Sequence, residues 1–191
     1  MAVDKSMRKI IAIGGEPATG KSTVVKKLIA QIPPWGKFEE TEEVKLVPTL
    51  YTDEFKLHIL GKYPEGEMFG GTDRYSMAVQ PQAVKFIANT SSCNVLFEGD
   101  RLFNQSFLEY LADLNDVDLQ IVIIEADKDT VEQRHLDRAD TQNEIFLKGR
   151  KTKYENLRSN MMLMPYIKVF KNNNLDDMEK LVSHLSTELY T

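Results

Sequence analysis

Eight consecutive residues, Gly15-Glu16-Pro17-Ala18-Thr19-Gly20-Lys21-Ser22, carry glycine, lysine and hydroxyl at the spacing that cradles a polyphosphate. The glycines let the backbone curl so that successive N–H groups point at phosphate oxygens. The helix that follows offers its positive N-terminus to the same charge. In this pattern Lys21 reaches the β- and γ-phosphates, and the Ser22 hydroxyl is the expected Mg²⁺ ligand. A buried-strand pattern at residues 9–13 precedes the loop and a helical pattern at 22–31 follows it, which is the context the loop needs. The nine residues from Gly15 through Ser22 to Thr23 are therefore the expected nucleotide-binding set, with ATP as donor and Mg²⁺ as its metal.

Other charged residues fall where strands should end. Glu98 closes the apolar run Val95-Leu96-Phe97 and is followed by Gly99, Asp100 and Arg101. Parallel strands deliver their C-terminal ends to the ligand edge of a sheet, so Glu98 is the expected second metal-holding residue, directly or through water. Asp100 and Arg101 are expected to face the acceptor, although a solvated turn with a surface ion pair explains them too. Asp53 follows the run at residues 44–51, and a hydroxyl acceptor needs a carboxylate to take its proton. Asp53 is the first candidate for that base; a helix cap is the plainer alternative. Asp73 and Arg74 follow Gly70-Gly71-Thr72, a setting in which backbone approaches a ligand closely and a guanidinium binds an anion. Arg134 and Arg138 share one helix face, and Arg150, Lys151, Lys153 and Arg158 follow. Such a cluster can close over ATP as a lid at about residues 130–158, with Arg134 and Arg138 stabilising charge on the transferred group. Asp137 and Asp140 allow a solvated, ion-paired helix instead.

These residues need a scaffold. Apolar runs at residues 9–13, 44–51, 94–97, 119–125 and 166–170 alternate with helical patterns at 22–31, 82–88, 105–114 and 176–190. That alternation predicts an α/β fold with a parallel sheet, and one domain spanning residues 1–191 accounts for all of it. Pro48 moves its strand towards an edge position. Residues 61–71 hold four glycines and a proline and read as a loop. His58, His135 and His184 stand apart from any nucleophile and read as structural.

Composition limits the partners. The 191 residues carry a net charge of −5, so no global basic field attracts nucleic acid. Cys93 is the single cysteine, so it has no disulfide partner within the chain, and a reducing cytosol is the expected setting (the host's cytosol for a viral protein). No apolar run approaches the ~20 residues that span a bilayer, so no membrane partner is expected.

Phosphate loop, strand-end acid and arginine-rich helices together resemble the nucleoside and nucleotide kinase branch of P-loop proteins. That resemblance implies the P-loop fold, a five-stranded parallel sheet flanked by helices, and an arginine-bearing lid. A narrower one rests on residues 69–77 (Phe69-Gly70-Gly71-Thr72-Asp73-Arg74-Tyr75-Ser76-Met77), residues 96–104 (Leu96-Phe97-Glu98-Gly99-Asp100-Arg101-Leu102-Phe103-Asn104) and Gly149-Arg150-Lys151-Thr152-Lys153. These look like a bacteriophage kinase family that phosphorylates the hydroxymethyl group of 5-hydroxymethyluracil in DNA, on the route to hypermodified thymidines. The resemblance implies a flipped base held near Phe69, Arg74 and Tyr75. A small-molecule kinase acting on a nucleoside, nucleotide or other metabolite uses the same parts without a DNA groove.

Overall fold

The computed structural model of the chain describes residues 7–67, 70–137 and 143–191. One sheet gathers seven strands: β1 (Arg8–Gly14), β2 (Glu39–Val44), β3 (Val47–Thr52), β4 (Leu57–Leu60), β5 (Asn94–Glu98), β6 (Val117–Glu125) and β7 (Ile167–Lys171). Their order is β2-β3-β4-β5-β1-β6-β7. The five strands from β4 to β7 in that order are parallel. The sheet thus has seven strands rather than the expected five: the runs at 9–13, 94–97, 119–125 and 166–170 are parallel as expected, β4 takes the fifth parallel place, and the run at 44–51 is the antiparallel β3, which with β2 extends one side of the sheet.

Alternation along the central strands explains the layering. Ile10 and Ala12 of β1, Val95 and Phe97 of β5 and Ile121 and Ile123 of β6 point to one side. Ile11 and Ile13, Leu96, and Val122 and Ile124 point to the other. Both sets are buried, so these strands have no polar face, as the inner strands of a parallel sheet require. Helices α2 (Gln80–Asn89), α3 (Gln105–Ala112) and α5 (Glu144–Ser159) cover the first side through Phe86, Phe107, Leu111, Tyr154 and Leu157. Helices α1 (Lys21–Ala30) and α6 (Leu175–Leu189) cover the second through Val24, Leu28, Leu181 and Leu185. Helix α4 (Lys128–Asp137) buries none of its residues. Among the described residues no helix is long and apolar enough to cross a membrane.

The run expected as one strand at residues 44–51 is instead the second arm of a hairpin. β2 ends at Val44, Lys45 and Leu46 form the turn, and Leu46 sits at φ 71°. Pro48 lies on β3, one strand in from the edge, where the pairing with β2 shifts register between Thr41 and Val44. That bulge spares Pro48 the hydrogen bond it cannot donate. The true edge strand carries Glu39, Glu40, Glu42 and Glu43, charges that discourage pairing with another chain.

Candidate active site

The parallel strands release their C-terminal ends along one edge, and the phosphate loop leaves the strand at their middle. Gly20 takes φ 96° immediately before α1, a left-handed conformation that side chains resist. A Cβ there would also lie 2.5 Å from Asn172 Nδ2. Asn172 is fully buried just past the end of β7, and its Nδ2 donates to Thr19 O at 2.8 Å, so the end of β7, two strands from β1, pins the loop. Lys21 Nζ donates to Gly15 O at 2.7 Å and Glu16 O at 3.1 Å, which holds the ammonium over the curled backbone.

The neighbouring strand β5 brings Glu98 to this lysine. Glu98 is 1% exposed, and its Oε1 accepts a hydrogen bond from Ser22 Oγ at 2.7 Å. Burial pushes the Glu98 carboxyl up to about 7, against the pull of Lys21 and of the Ser22 hydrogen bond. Gly71, at φ 86°, lies against this carboxylate so closely that a Cβ would run into Glu98 Oε1. Thr72 Oγ1 fixes the strand end by donating to Glu98 O at 2.9 Å. A hydroxyl and a dry carboxylate are hard oxygen donors, the kind Mg²⁺ takes alongside nucleotide phosphates. Ser22 and Glu98 therefore fit a Mg²⁺–nucleotide complex. Among the described residues no cluster of three or more His, Cys, Asp or Glu side chains offers a rival metal site.

Past Glu98 the same edge collects charge. Asp100 accepts from Lys153 Nζ at 2.6 Å and Tyr154 Oη at 3.1 Å, and its other oxygen lies 3.1 Å from the Arg150 guanidinium. Burial alone would raise the Asp100 carboxyl, but Lys153, Lys21 and Arg150 hold it below the usual carboxylate range. Asp73, exposed at the end of the turn after Gly71, accepts the Arg101 backbone N–H at 2.9 Å. The turns after β5 and before α2 are tied together at that point. The Arg101 guanidinium reaches the sulfur of Met77, and its buried Nε finds no acceptor among the described residues. Arg74 pairs with Glu67.

The basic helices reach the loop from the other side. Arg134 donates to Ala18 O at 3.1 Å and to Asn172 O at 2.8 Å, joining α4 to the phosphate loop and to the end of β7. Arg158 pairs with Glu125 at the end of β6. The stretch expected as a lid is thus two helices, α4 and α5, with cations directed at strand ends and the loop. Arg138, its expected partner in catalysis, lies outside the described residues, as does Phe69.

Asp53 is the correction. β3 runs antiparallel to β4, with Thr52 opposite Leu57 and Leu57 opposite Asn94, the first residue of β5. Asp53 therefore stands at the N-terminal edge of the sheet, the edge opposite Glu98. There it is an exposed turn residue bonded to Tyr51 Oη at 3.0 Å and Lys56 Nζ at 2.5 Å. Those two hydrogen bonds, Lys56 first, hold its carboxyl below the usual range, the wrong direction for a base. Three contributors went unnoticed in the sequence: Asn172, Thr72 and Tyr154. Asn172 opens a run of three asparagines just past a strand, and that run was the available signal. Thr72 and Tyr154 give no pattern of their own.

No curated protein matches the chain. Among solved structures, the shikimate kinase from Bacteroides thetaiotaomicron is 13% identical and aligns over 97% of this chain and 99% of that one, with a TM-score of 0.46. A gluconokinase from Sinorhizobium meliloti 1021 is 13% identical, over 95% of this chain and 98% of that one, with a TM-score of 0.41. Similarity at that level carries no argument about substrate. The family described as P-loop Nucleotide Kinase3 matches residues 6–187, nearly the whole chain, and the protein belongs to that family of P-loop kinases.

Proposed function

We propose that the protein transfers the γ-phosphoryl group of ATP to a small acceptor, a nucleoside, nucleotide or other metabolite, bound beside Asp73, Asp100 and Arg101. One observation carries this reading. The Ser22–Glu98 hydrogen bond fastens the phosphate loop to β5, and the same strand end continues into Asp100 and Arg101. Donor and acceptor groups therefore share one edge, a few residues apart.

In this reading the acceptor hydroxyl oxygen bonds to the γ-phosphorus, the bridging P–O bond breaks, and ADP leaves with that bond's electrons. The loop N–H groups and Lys21 bind the β- and γ-phosphates, where negative charge accumulates. Mg²⁺, when bound through Ser22 and Glu98, supplies further neutralisation of that charge. Arg134, bonded to Ala18 O of the loop, is proposed to stabilise charge on the transferred group. Arg138 belongs to the same proposal through its place four residues along the chain.

Asp100 is saturated by Lys153, Arg150 and Tyr154, so its part is to orient those donors. Asp73 has one oxygen on the Arg101 N–H and is exposed, which leaves the other oxygen to receive the acceptor's proton. The Arg101 guanidinium has no carboxylate partner among the described residues and supports binding of an acceptor oxygen or anion. Arg74 stands next to Asp73 and belongs to the acceptor side as well. The single cysteine supports a reducing, cytosolic setting.

The narrower acceptor, 5-hydroxymethyluracil in DNA, rests on the sequence resemblance. The acidic balance of the chain and the pairing of Arg150, Lys153 and Arg158 with carboxylates support the small acceptor over a polyanion. Labelled ATP incubated with nucleosides and nucleoside monophosphates, with DNA containing 5-hydroxymethyluracil, or with no acceptor distinguishes the two. Label on a small molecule is the expected result. Label on DNA alone would restore the narrower reading, and label on neither would exclude nucleosides, nucleoside monophosphates and this DNA as acceptors.

A further inference from the structure

Tyr63 leaves the sheet three residues past Leu60, the last residue of β4. β4 is parallel to β5, with Leu60 opposite Phe97, so Tyr63 emerges at the same edge as Glu98 and Asp100. Its ring packs with the core on the α1 side of the sheet. Gly70 lies flat against that ring: a Cβ there would be 2.8 Å from it. Backbone hydrogen bonds of 2.9 and 3.2 Å join Lys62 to Gly71, the glycine pressed on Glu98. The tyrosine is thereby fixed between core and site.

Its hydroxyl is not accounted for by the fold. Tyr63 Oη is buried and has no hydrogen-bond partner among the described residues. Glu98, Tyr75 and Asp73 are the charged and polar groups near enough to act on it electrostatically, and burial with their influence holds the phenol well above its usual range, in its donating form. Tyr75, at the same edge, shows what a structural tyrosine looks like: its hydroxyl accepts Gly61 N–H at 2.6 Å and donates to Pro48 O. Phenylalanine would fill the Tyr63 site equally well and leave nothing unsatisfied. A buried hydroxyl without a partner calls for a reason outside the fold. The backbone links Tyr63 to the acceptor side: Lys62 is bonded to Gly71, which leads through Thr72 into Asp73, the residue that takes the Arg101 backbone N–H.

We propose that Tyr63 is an acceptor-contacting residue whose hydroxyl donates to an oxygen of the phosphorylated molecule and helps set which acceptor hydroxyl faces the γ-phosphate. Tyr63 and Arg101 then supply two donors from the same edge of the sheet, a set suited to an oxygen-rich acceptor. The inference rests on the kinase reading given above.

Tyr63→Phe is the test, in the full chain, with parent and variant compared in three measurements. Thermal unfolding should show a midpoint equal to or above the parent's, because no bond is lost. Calorimetric ATP affinity should stay within about two-fold. With the acceptor that the parent uses best among nucleosides, nucleoside monophosphates and 5-hydroxymethyluracil DNA, kcat/KM should fall roughly 5- to 10-fold or more, the loss of one hydrogen bond in the transition state. Gly70→Ala, which pushes the ring from its place, should lower transfer in the same way with ATP affinity kept. Transfer by Tyr63→Phe within two-fold of the parent overturns the role. So does an equal loss of ATP affinity, or a midpoint lower by several degrees, which would reveal a structural bond. A parent that labels none of these acceptors overturns the nucleoside, nucleotide and DNA readings and the role of Tyr63 towards them; an active parent with an equally active variant overturns only Tyr63.

Discussion

Two carboxylates with similar sequence surroundings end in opposite places. Glu98 and Asp53 each follow an apolar run, yet Glu98 is buried against Ser22 while Asp53 is exposed at the far edge, beside Lys56. Their variants should therefore separate. Glu98→Gln keeps the shape but removes the charge that would hold Mg²⁺, so the Mg²⁺ concentration for half-maximal transfer should rise about 10-fold. Asp53→Asn should leave both turnover and Mg²⁺ dependence within two-fold of the parent. Steady-state kinetics over a Mg²⁺ titration reads both, and a 10-fold turnover loss in Asp53→Asn would contradict the topology. Lys21 belongs to neither class. Its ammonium already lies over the loop carbonyls of Gly15 and Glu16, and Lys21→Ala should cut turnover about 100-fold or more. Near-normal turnover in that variant would remove the phosphate loop from the chemistry.

At the scale of the elements, what the sequence disclosed depended on length and burial. β1, β5 and β6 each hold an apolar run of three or four residues, and the loop motif fixed where β1 must end. β4 is only Leu57-His58-Ile59-Leu60, too short for periodicity to register, and β2 reads Glu-Glu-Thr-Glu-Glu-Val, which looks like solvated chain. Without those two strands, the run before Asp53 reads as a parallel strand. One signal was available: the four residues Asp53-Glu54-Phe55-Lys56 between β3 and β4 are far too few for a parallel crossover, which needs a dozen or more. The histidine in β4 gives this element a measurable property. His58 is 1% exposed, bonded to Thr49 Oγ1 at 3.0 Å and stacked on Tyr51 with centroids 4.4 Å apart. Burial lowers its pKa from the usual 6.5 to about 4. The unfolded chain takes up a proton below pH 6.5 that the folded chain refuses until about pH 4. The stabilising effect of the neutral ring is thus complete above pH 6.5 and is lost as pH falls from there towards 4. Over that interval the loss is at most about 3 kcal/mol. His58→Gln should be less stable than the parent at pH 7, yet its melting temperature should fall less between pH 7 and pH 5. Parallel pH profiles for the two proteins would rule this out.

Charge over the whole molecule bears on what the acceptor is. The chain carries a net charge of −5, its outer strand β2 presents four glutamates, and the cations near the site are largely committed. Arg150 and Lys153 serve Asp100, Arg158 serves Glu125, and Arg134 binds loop carbonyls. Charges committed in this way are not available to track a phosphate backbone. A protein that neutralises 6–10 DNA phosphates loses about 10³–10⁵ in affinity between 50 and 200 mM salt, because released counterions must return. An acceptor held by the Asp73–Arg101 region alone involves about one anion, and screening there changes binding far less. Over the same salt range, kcat/KM for the acceptor should therefore change by less than about five-fold, while ATP affinity follows its own weak dependence. Initial rates at 50, 100 and 200 mM salt, with acceptor well below KM, provide the measurement. A fall of 100-fold or more, specific to the acceptor, would mean that the molecule grips a polyanion after all. The acceptor would then be sought in DNA, and the edge beside Arg101 and Arg74 would have to be part of a longer binding track.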